Sequence, residues 1–122
     1  MASTILTVDD SASMRQMVGF TLRQAGYSVV EAPDGLEALA YARRHPVDLV
    51  LTDVHMPHMD GITLVKEIKK LAAYKFTPIV MLTTESADGK KAEGQAAGAK
   101  AWMLKPFNPP QLLAVVQKLV LP

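Results

Sequence analysis

Apolar and polar positions along this chain alternate between two periods. Five short runs rich in β-branched and aliphatic residues read as strands: Thr4–Val8, Ser28–Ala32, Asp48–Thr52, Pro78–Leu82 and Ala101–Leu104. The segments between and after them have helical spacing. In the first, Met14, Met17, Val18 and Leu22 fall at i, i+3, i+4 and i+8 and make one apolar face. The second opens at Asp34 with Glu37 three residues on, a variant of the capping box that satisfies exposed N–H groups. The third starts at Asp60-Gly61 and carries Ile62, Val65 and Ile68, reaching towards Leu71. The fifth has Asn108 as N-cap and Pro109 in its first turn, followed by Leu112, Leu113, Val116 and Leu119. The fourth, Ala87–Ala97, is the weak one. Gly89 and Gly94 lie in it, each costing about 1 kcal/mol relative to alanine, and its apolar face is made of alanines alone. It is expected to be marginal, either as a packing compromise or as a mobile switch surface.

Strict alternation of strand and helix, five times over, predicts a doubly wound parallel sheet with helices on both faces. No repeat or linker interrupts it, so residues 1–122 are expected to form a single domain with no output domain attached. Four of the apolar runs stop at a reactive polar residue. Val8 is followed by Asp9-Asp10, Thr52 by Asp53, Leu82 by Thr83 and Leu104 by Lys105. Ligands of open α/β sheets sit at the carboxyl ends of the strands, so these groups are expected to share one crevice.

That set suits a particular chemistry. Carboxylates are hard ligands for Mg²⁺, which takes few protein ligands and keeps several waters. An aspartate can accept a phosphoryl group as an acyl phosphate, and Asp53 is the candidate nucleophile. Phosphoryl transfer asks mainly for positioning and for neutralisation of three equatorial oxygens. Mg²⁺, Lys105 and the Thr83 hydroxyl are candidates for one oxygen each. Three carboxylates held close repel one another, so the crevice is expected to be strained until a cation enters.

Composition removes several alternatives. The chain has 122 residues, 49% hydrophobic and 20% charged, enough for one domain with a real core. Thirteen basic against twelve acidic residues give +1, without the basic cluster that nucleic-acid binding requires. Lys66, Lys69, Lys70 and Lys75 are grouped, but their spacing reads as a solvated helix face. The absence of cysteine excludes disulfides and thiolate metal sites. There is no signal-peptide pattern and no apolar run near the roughly 18 residues a bilayer span needs, so the protein is expected to be cytoplasmic, without membrane insertion, and monomeric.

Four stretches in order, Val8-Asp9-Asp10-Ser11, Thr52 to Gly61 (TDVHMPHMDG), Thr83-Thr84-Glu85 and Lys105-Pro106-Phe107, resemble the receiver domain of two-component response regulators, most closely the CheY-like single-domain kind. The resemblance covers essentially the whole chain. It implies a flavodoxin-like sheet of order 2-1-3-4-5 with five helices. It also implies that Asp53 is the phosphoacceptor, charged from the phosphohistidine of a CheA-like sensor histidine kinase. Asp10 corresponds to a direct Mg²⁺ ligand, Asp9 to one acting mostly through metal-bound water, and the backbone carbonyl of His55 to a further ligand. Thr83 corresponds to the switch hydroxyl, Trp102 to the aromatic switch position, and Lys105 to the phosphoryl-neutralising lysine, with a cis bond to Pro106. His55 and Glu85 stand where the family tunes the rate of dephosphorylation. The implied role is a chemotaxis or motility switch with a flagellar motor switch protein as leading partner.

Other readings use some of the same residues. A phosphorelay intermediate exchanging phosphate with a histidine phosphotransfer protein, or a phosphate sink, would share the whole site. A phosphatase with an aspartyl nucleophile is disfavoured, since haloacid-dehalogenase-like enzymes usually place a second Asp where this chain has His55. His55, His58 and Asp53 resemble a transition-metal set but lack a fourth ligand. Trp102, where Tyr or Phe is more usual, has a structural alternative in which its indole simply covers the edge strand. Met56 and Met59 are expected to pack under the loop after Asp53.

Overall fold

The computed structural model of the chain describes residues 2–83 and 88–122, with side chains outside residues 88–92. The elements in order are β1 (Thr4–Val8), α1 (Ala12–Gln24), β2 (Ser28–Ala32), α2 (Gly35–Arg44), β3 (Leu49–Asp53), α3 (Gly61–Lys69), a 3-10 turn (Ala72–Tyr74), β4 (Ile79–Thr83), α4 (Asp88–Ala97), β5 (Ala101–Leu104) and α5 (Pro109–Leu119). The strands form one parallel sheet of order β2-β1-β3-β4-β5. Class, order and number of elements are those expected.

The central strands are apolar throughout because the sheet is covered on both faces. Leu6, Val8, Val50, Ile79 and Met81 face a core completed by Ala38, Leu39, Leu64, Val65 and Ile68 of α2 and α3. Their neighbours Ile5, Leu49, Leu51, Val80 and Leu82 face a second core with Val18, Leu22, Leu112 and Val116 of α1 and α5. Successive residues of a strand point to opposite sides, so one run of five supplies both cores. Each fully buried Leu or Ile contributes roughly 1.5–3 kcal/mol, and most of the fold's stability lies in these two layers.

The starts of α2, α3 and α5 carry caps at the residues read from sequence, and α1 carries one on Ser11 that its pattern did not single out. Asp34 takes the Glu37 N–H at 2.9 Å, Asp60 takes that of Thr63 at 2.7 Å, and Ser11 caps α1 through Met14 at 3.2 Å. Asn108 and Gln111 form a reciprocal capping box on α5, with both bonds at 2.9 Å.

Two strands are displaced by one residue from the sequence expectation, starting at Leu49 and Ile79 and ending on Asp53 and Thr83. The ladder explains the shift. Asp53 stands opposite Leu82 and Thr83 opposite Leu104, and the Val54 N–H donates to Leu82 O at 3.2 Å. The reactive residues are therefore the last paired positions of buried strands rather than the first residues of loops. The lysine group also differs from expectation. Lys69 is half-buried, and its Nζ donates to the carbonyls of Tyr74 at 3.1 Å and Lys75 at 3.4 Å and also to that of Thr77. It ties the 3-10 turn to α3, and burial pushes its ammonium pKa down.

One glycine of α4 has a packing reason. Gly94 is buried, and a Cβ built there would lie 3.0 Å from Cζ3 of Trp102. Its bare backbone lets the helix lie close to the indole. Gly94→Leu gains up to about 1 kcal/mol of helix propensity but overpacks this contact by about 1–3 kcal/mol. The expected result is a lower melting temperature with altered Trp102 emission, measured by thermal melts and fluorescence; a higher melting temperature would mean that α4 stands off the sheet.

Candidate functional site

The register of the sheet assembles the crevice. Val8 pairs with Thr52, so Asp9 and Asp53 emerge side by side from the two central strands, and Asp10 follows. Each of the three offers a carboxylate oxygen, all within 4.8 Å of one another, and no other such metal-capable group of three occurs among the described residues. Asp9 is buried at 2% exposure and Asp53 nearly so at 9%, whereas Asp10 is exposed.

Lys105 enters from the end of β5. Its Nζ lies 2.9 Å from Asp9 Oδ2 and 3.2 Å from Asp53 Oδ2, bridging the two buried carboxylates. Their other oxygens are also engaged: Asp53 Oδ1 accepts the Val54 N–H at 2.8 Å and Asp9 Oδ1 that of Ser11 at 2.9 Å. Burial pushes the Asp53 pKa up, with Asp9 adding to the shift and Lys105 opposing it. For Lys105, burial acts against the charged form, but the hydrogen bond to Asp9 and the two negative neighbours outweigh it, so its pKa is raised. One ammonium thus bridges two of the three carboxylates. The donor set, three hard oxygens with net negative charge, fits Mg²⁺.

The other expected residues fall around this centre. Thr83 is buried at the end of β4, one position beyond the partner of Asp53, and Lys105 N–H donates to its carbonyl at 2.7 Å. The Lys105–Pro106 bond is cis, as expected. His55 lies two residues past Asp53 and is exposed. Its neighbours Met56 and Met59 pack partly buried against the α2/α3 core, under the loop as expected. His58 pairs with Asp34, its Nδ1 3.1 Å from Asp34 Oδ2, so the histidines do not form a metal set with Asp53. Trp102 packs on the α2/α3 side of the sheet, its residue partnered with Met81, and reaches α4. Glu85 lies outside the described residues.

Sequence reasoning missed Gly61. It was legible as a helix start, but a Cβ there would run into the backbone carbonyl of Asp53, and its N–H donates to Val54 O at 2.8 Å. The N-terminus of α3 is seated directly against the backbone of Asp53. The signal available in sequence was a glycine at the first helical position, where helix propensity alone disfavours it.

With this geometry in place, relationships to known proteins become specific. The model of the response regulator receiver domain matches residues 5–117. The chain belongs to the response regulator receiver domain family. The chemotaxis protein CheY4 of Vibrio cholerae has the same fold at a TM-score of 0.95 and 50% identity, over 98% of this chain and 100% of that one. The chemotaxis protein CheY of Bacillus subtilis is 40% identical over 97% of this chain and 98% of its own length. The receiver domain of sensor histidine kinase PA1611 from Pseudomonas aeruginosa, 28% identical with a TM-score of 0.90 over 98% of both chains, holds a magnesium ion in its active-site cleft. Several other relatives are longer, and this receiver spans about half of them, 47% of the response regulator GtcR from Aneurinibacillus migulanus for instance. The receiver is thus a CheY-like member of a two-component signalling family, and no helix among the described residues is long and apolar enough to cross a membrane.

The charge imbalance has a measurable sign. The folded pKa of Asp53 is raised above its unfolded value, so its contribution to stability is fully present below about 3.8 and is lost as pH rises through the folded value. In metal-free buffer at neutral pH, Asp53→Asn is therefore expected to melt higher than wild type, and the gap should close as pH falls below that unfolded value. Asp10→Asn should also stabilise the metal-free protein at neutral pH. A wild type that melts higher than both variants at pH 7 would mean that the carboxylates are net stabilising without metal.

Proposed function

We propose that this CheY-like receiver is a phosphorylation switch in which Asp53 accepts a phosphoryl group from the phosphohistidine of a sensor histidine kinase. The observation that carries the reading is the placement of Asp53 in a cluster of three carboxylates, with Lys105 Nζ bridging it to Asp9. A carboxylate oxygen of Asp53 attacks phosphorus as the P–N bond breaks, and the electron pair of that bond leaves with the imidazole. Asp53 thereby becomes an acyl phosphate. Lys105 already holds its charge beside Asp53 and meets one phosphoryl oxygen, and the Thr83 hydroxyl meets another.

Asp10, Asp53 and the His55 carbonyl would hold Mg²⁺, with Asp9 acting through metal-bound water. When bound, the ion supplies positive charge to the transferring oxygens and to the acidic cluster. The magnesium in the cleft of the PA1611 receiver supports this assignment. The protein residues position the nucleophile and exclude competing geometries.

The output is a change of partner affinity. Thr83 follows the phosphoryl group and Trp102 follows Thr83, altering the face made by α4, β5 and α5. The close contact of Trp102 with Gly94 supports this coupling, because a moved indole frees or presses the α4 backbone. Similarity to CheY4 and to CheY along their full lengths supports a chemotaxis or motility role, through a CheA-like kinase and a flagellar motor switch protein.

Incubation with acetyl phosphate and Mg²⁺, followed by intact mass, tests the central step. Wild type should gain one phosphoryl group and Asp53→Asn none; labelling of the variant to the same extent would move the acceptor elsewhere. The metal is tested separately. Millimolar Mg²⁺ should raise the melting temperature of wild type, because only the folded site binds it, and Asp10→Asn should lose most of the rise. An unchanged wild-type melt would remove Mg²⁺ from the site.

A further inference from the structure

The segment between β3 and α3 carries His55, and two helices grip it. On the α3 side the Gly61 N–H donates to Val54 O at 2.8 Å, closing the loop onto its own start. On the α2 side the backbone is also in close contact. A Cβ built on Gly35 would lie 2.8 Å from the carbonyl oxygen of Met59 and 2.9 Å from its Cβ, so the first residue of α2 abuts the loop backbone.

His58 joins these two pieces. It is the one non-glycine residue with positive φ among the described residues, at 70°, in the left-handed region where Asn, Asp and His are the commoner exceptions. In that conformation its Nδ1 lies 3.1 Å from Asp34 Oδ2. Asp34 is buried and uses its two oxygens for different tasks: Oδ1 caps α2 through the Glu37 N–H at 2.9 Å, and Oδ2 meets His58. The Glu37 N–H, and then His58, hold the Asp34 carboxyl below the usual carboxylate range, so it serves both as an anion. Helix capping needs only the first oxygen. Neither residue belongs to the acidic cluster.

We propose that Asp34 and His58 form a latch that fixes loop 54–60, and with it the His55 carbonyl, in the arrangement that receives Mg²⁺. Both are then positioning residues, acting through the loop and not on the ion. This rests on the Mg²⁺ reading given above. A carbonyl ligand has no side-chain torsion with which to correct its aim, so its placement depends wholly on the loop backbone. Partners standing behind metal ligands commonly change affinity by about tenfold or more when removed.

The test is a double-mutant cycle on Mg²⁺ affinity, read by titration calorimetry on wild type, His58→Gly, Asp34→Ser and the double variant. Glycine accepts the positive φ, and serine keeps the helix cap while losing the second oxygen. Each single change is expected to weaken Mg²⁺ by about tenfold, and the double variant no further, because one contact is lost in all three. Asp34→Ser leaves the loop's own sequence intact, so weakening in that variant cannot come from added glycine freedom. Metal-free melts of Asp34→Ser should stay near wild type, which separates loop placement from a damaged helix. Equal affinities in all four proteins, or losses that add in the double variant, overturn the latch. Wild type that binds no Mg²⁺, or binds it unchanged after Asp10→Asn, overturns the metal reading and the latch with it; wild type that binds while all four agree overturns the latch alone.

Discussion

Confinement of three carboxylates at the carboxyl edge of two buried strands is the constraint on which the rest of this structure depends. Side by side they repel, and Asp9 and Asp53 are also stripped of most of their water. Rearrangement of the strands would relieve the repulsion, but the strands are locked by two apolar layers and by parallel ladders on both sides. The sheet therefore holds an arrangement that the side chains alone would not adopt. Lys105 compensates only partly: one ammonium at 2.9 and 3.2 Å serves the two buried groups, while exposed Asp10 is left to solvent or to a cation.

The two-residue repeat of the strands divides the site between the faces of the sheet. Asp9, Asp53 and Lys105 fall on the parity of Ile5, Leu51 and Met103, which face α1 and α5. Thr83 and Trp102 fall on the parity of Met81, which faces α3 and α4. The charged centre and the two residues expected to move thus stand on opposite parities of neighbouring strands. A change at Asp53 reaches α4 only through a group at the strand ends, where the faces meet, and Thr83 occupies that place. The α4 backbone rests on Trp102 at Gly94, so the indole has a helix to act on.

Much of this was legible in the chain. Apolar runs bounded by polar residues located five strands, and Asp and Asn caps located helix starts, because both signals are local. The groups sharing the crevice followed from one topological rule, since four runs end in reactive residues. What local patterns do not contain is distance across the fold. Asp53 and Thr83 belong to their strands because Leu82 and Leu104 stand opposite, which no window around residues 53 or 83 records. Lys69 looked like part of a solvated face because its spacing is helical, yet the turn that folds back over it supplies three carbonyls. Gly61 looked like a helix start because the carbonyl of Asp53 that excludes a side chain there is eight residues away in sequence.

His58 shows the same limit at the site itself. Two histidines three residues apart beside an aspartate invite a metal reading, and chemistry by residue type alone cannot reject it. The fold rejects it through backbone geometry: a φ of 70° turns His58 to Asp34, across the loop on the α2 side. The carboxylate it meets was already legible as a helix cap, but a cap uses one oxygen and leaves the second to find a partner. Where a buried carboxylate has such a spare oxygen, the group that takes it is set by the tertiary fold and bears on whatever that group's own segment carries. Here the segment carries His55, so the arrangement of α2 and the order of the crevice are coupled through two side chains that lie outside the acidic cluster.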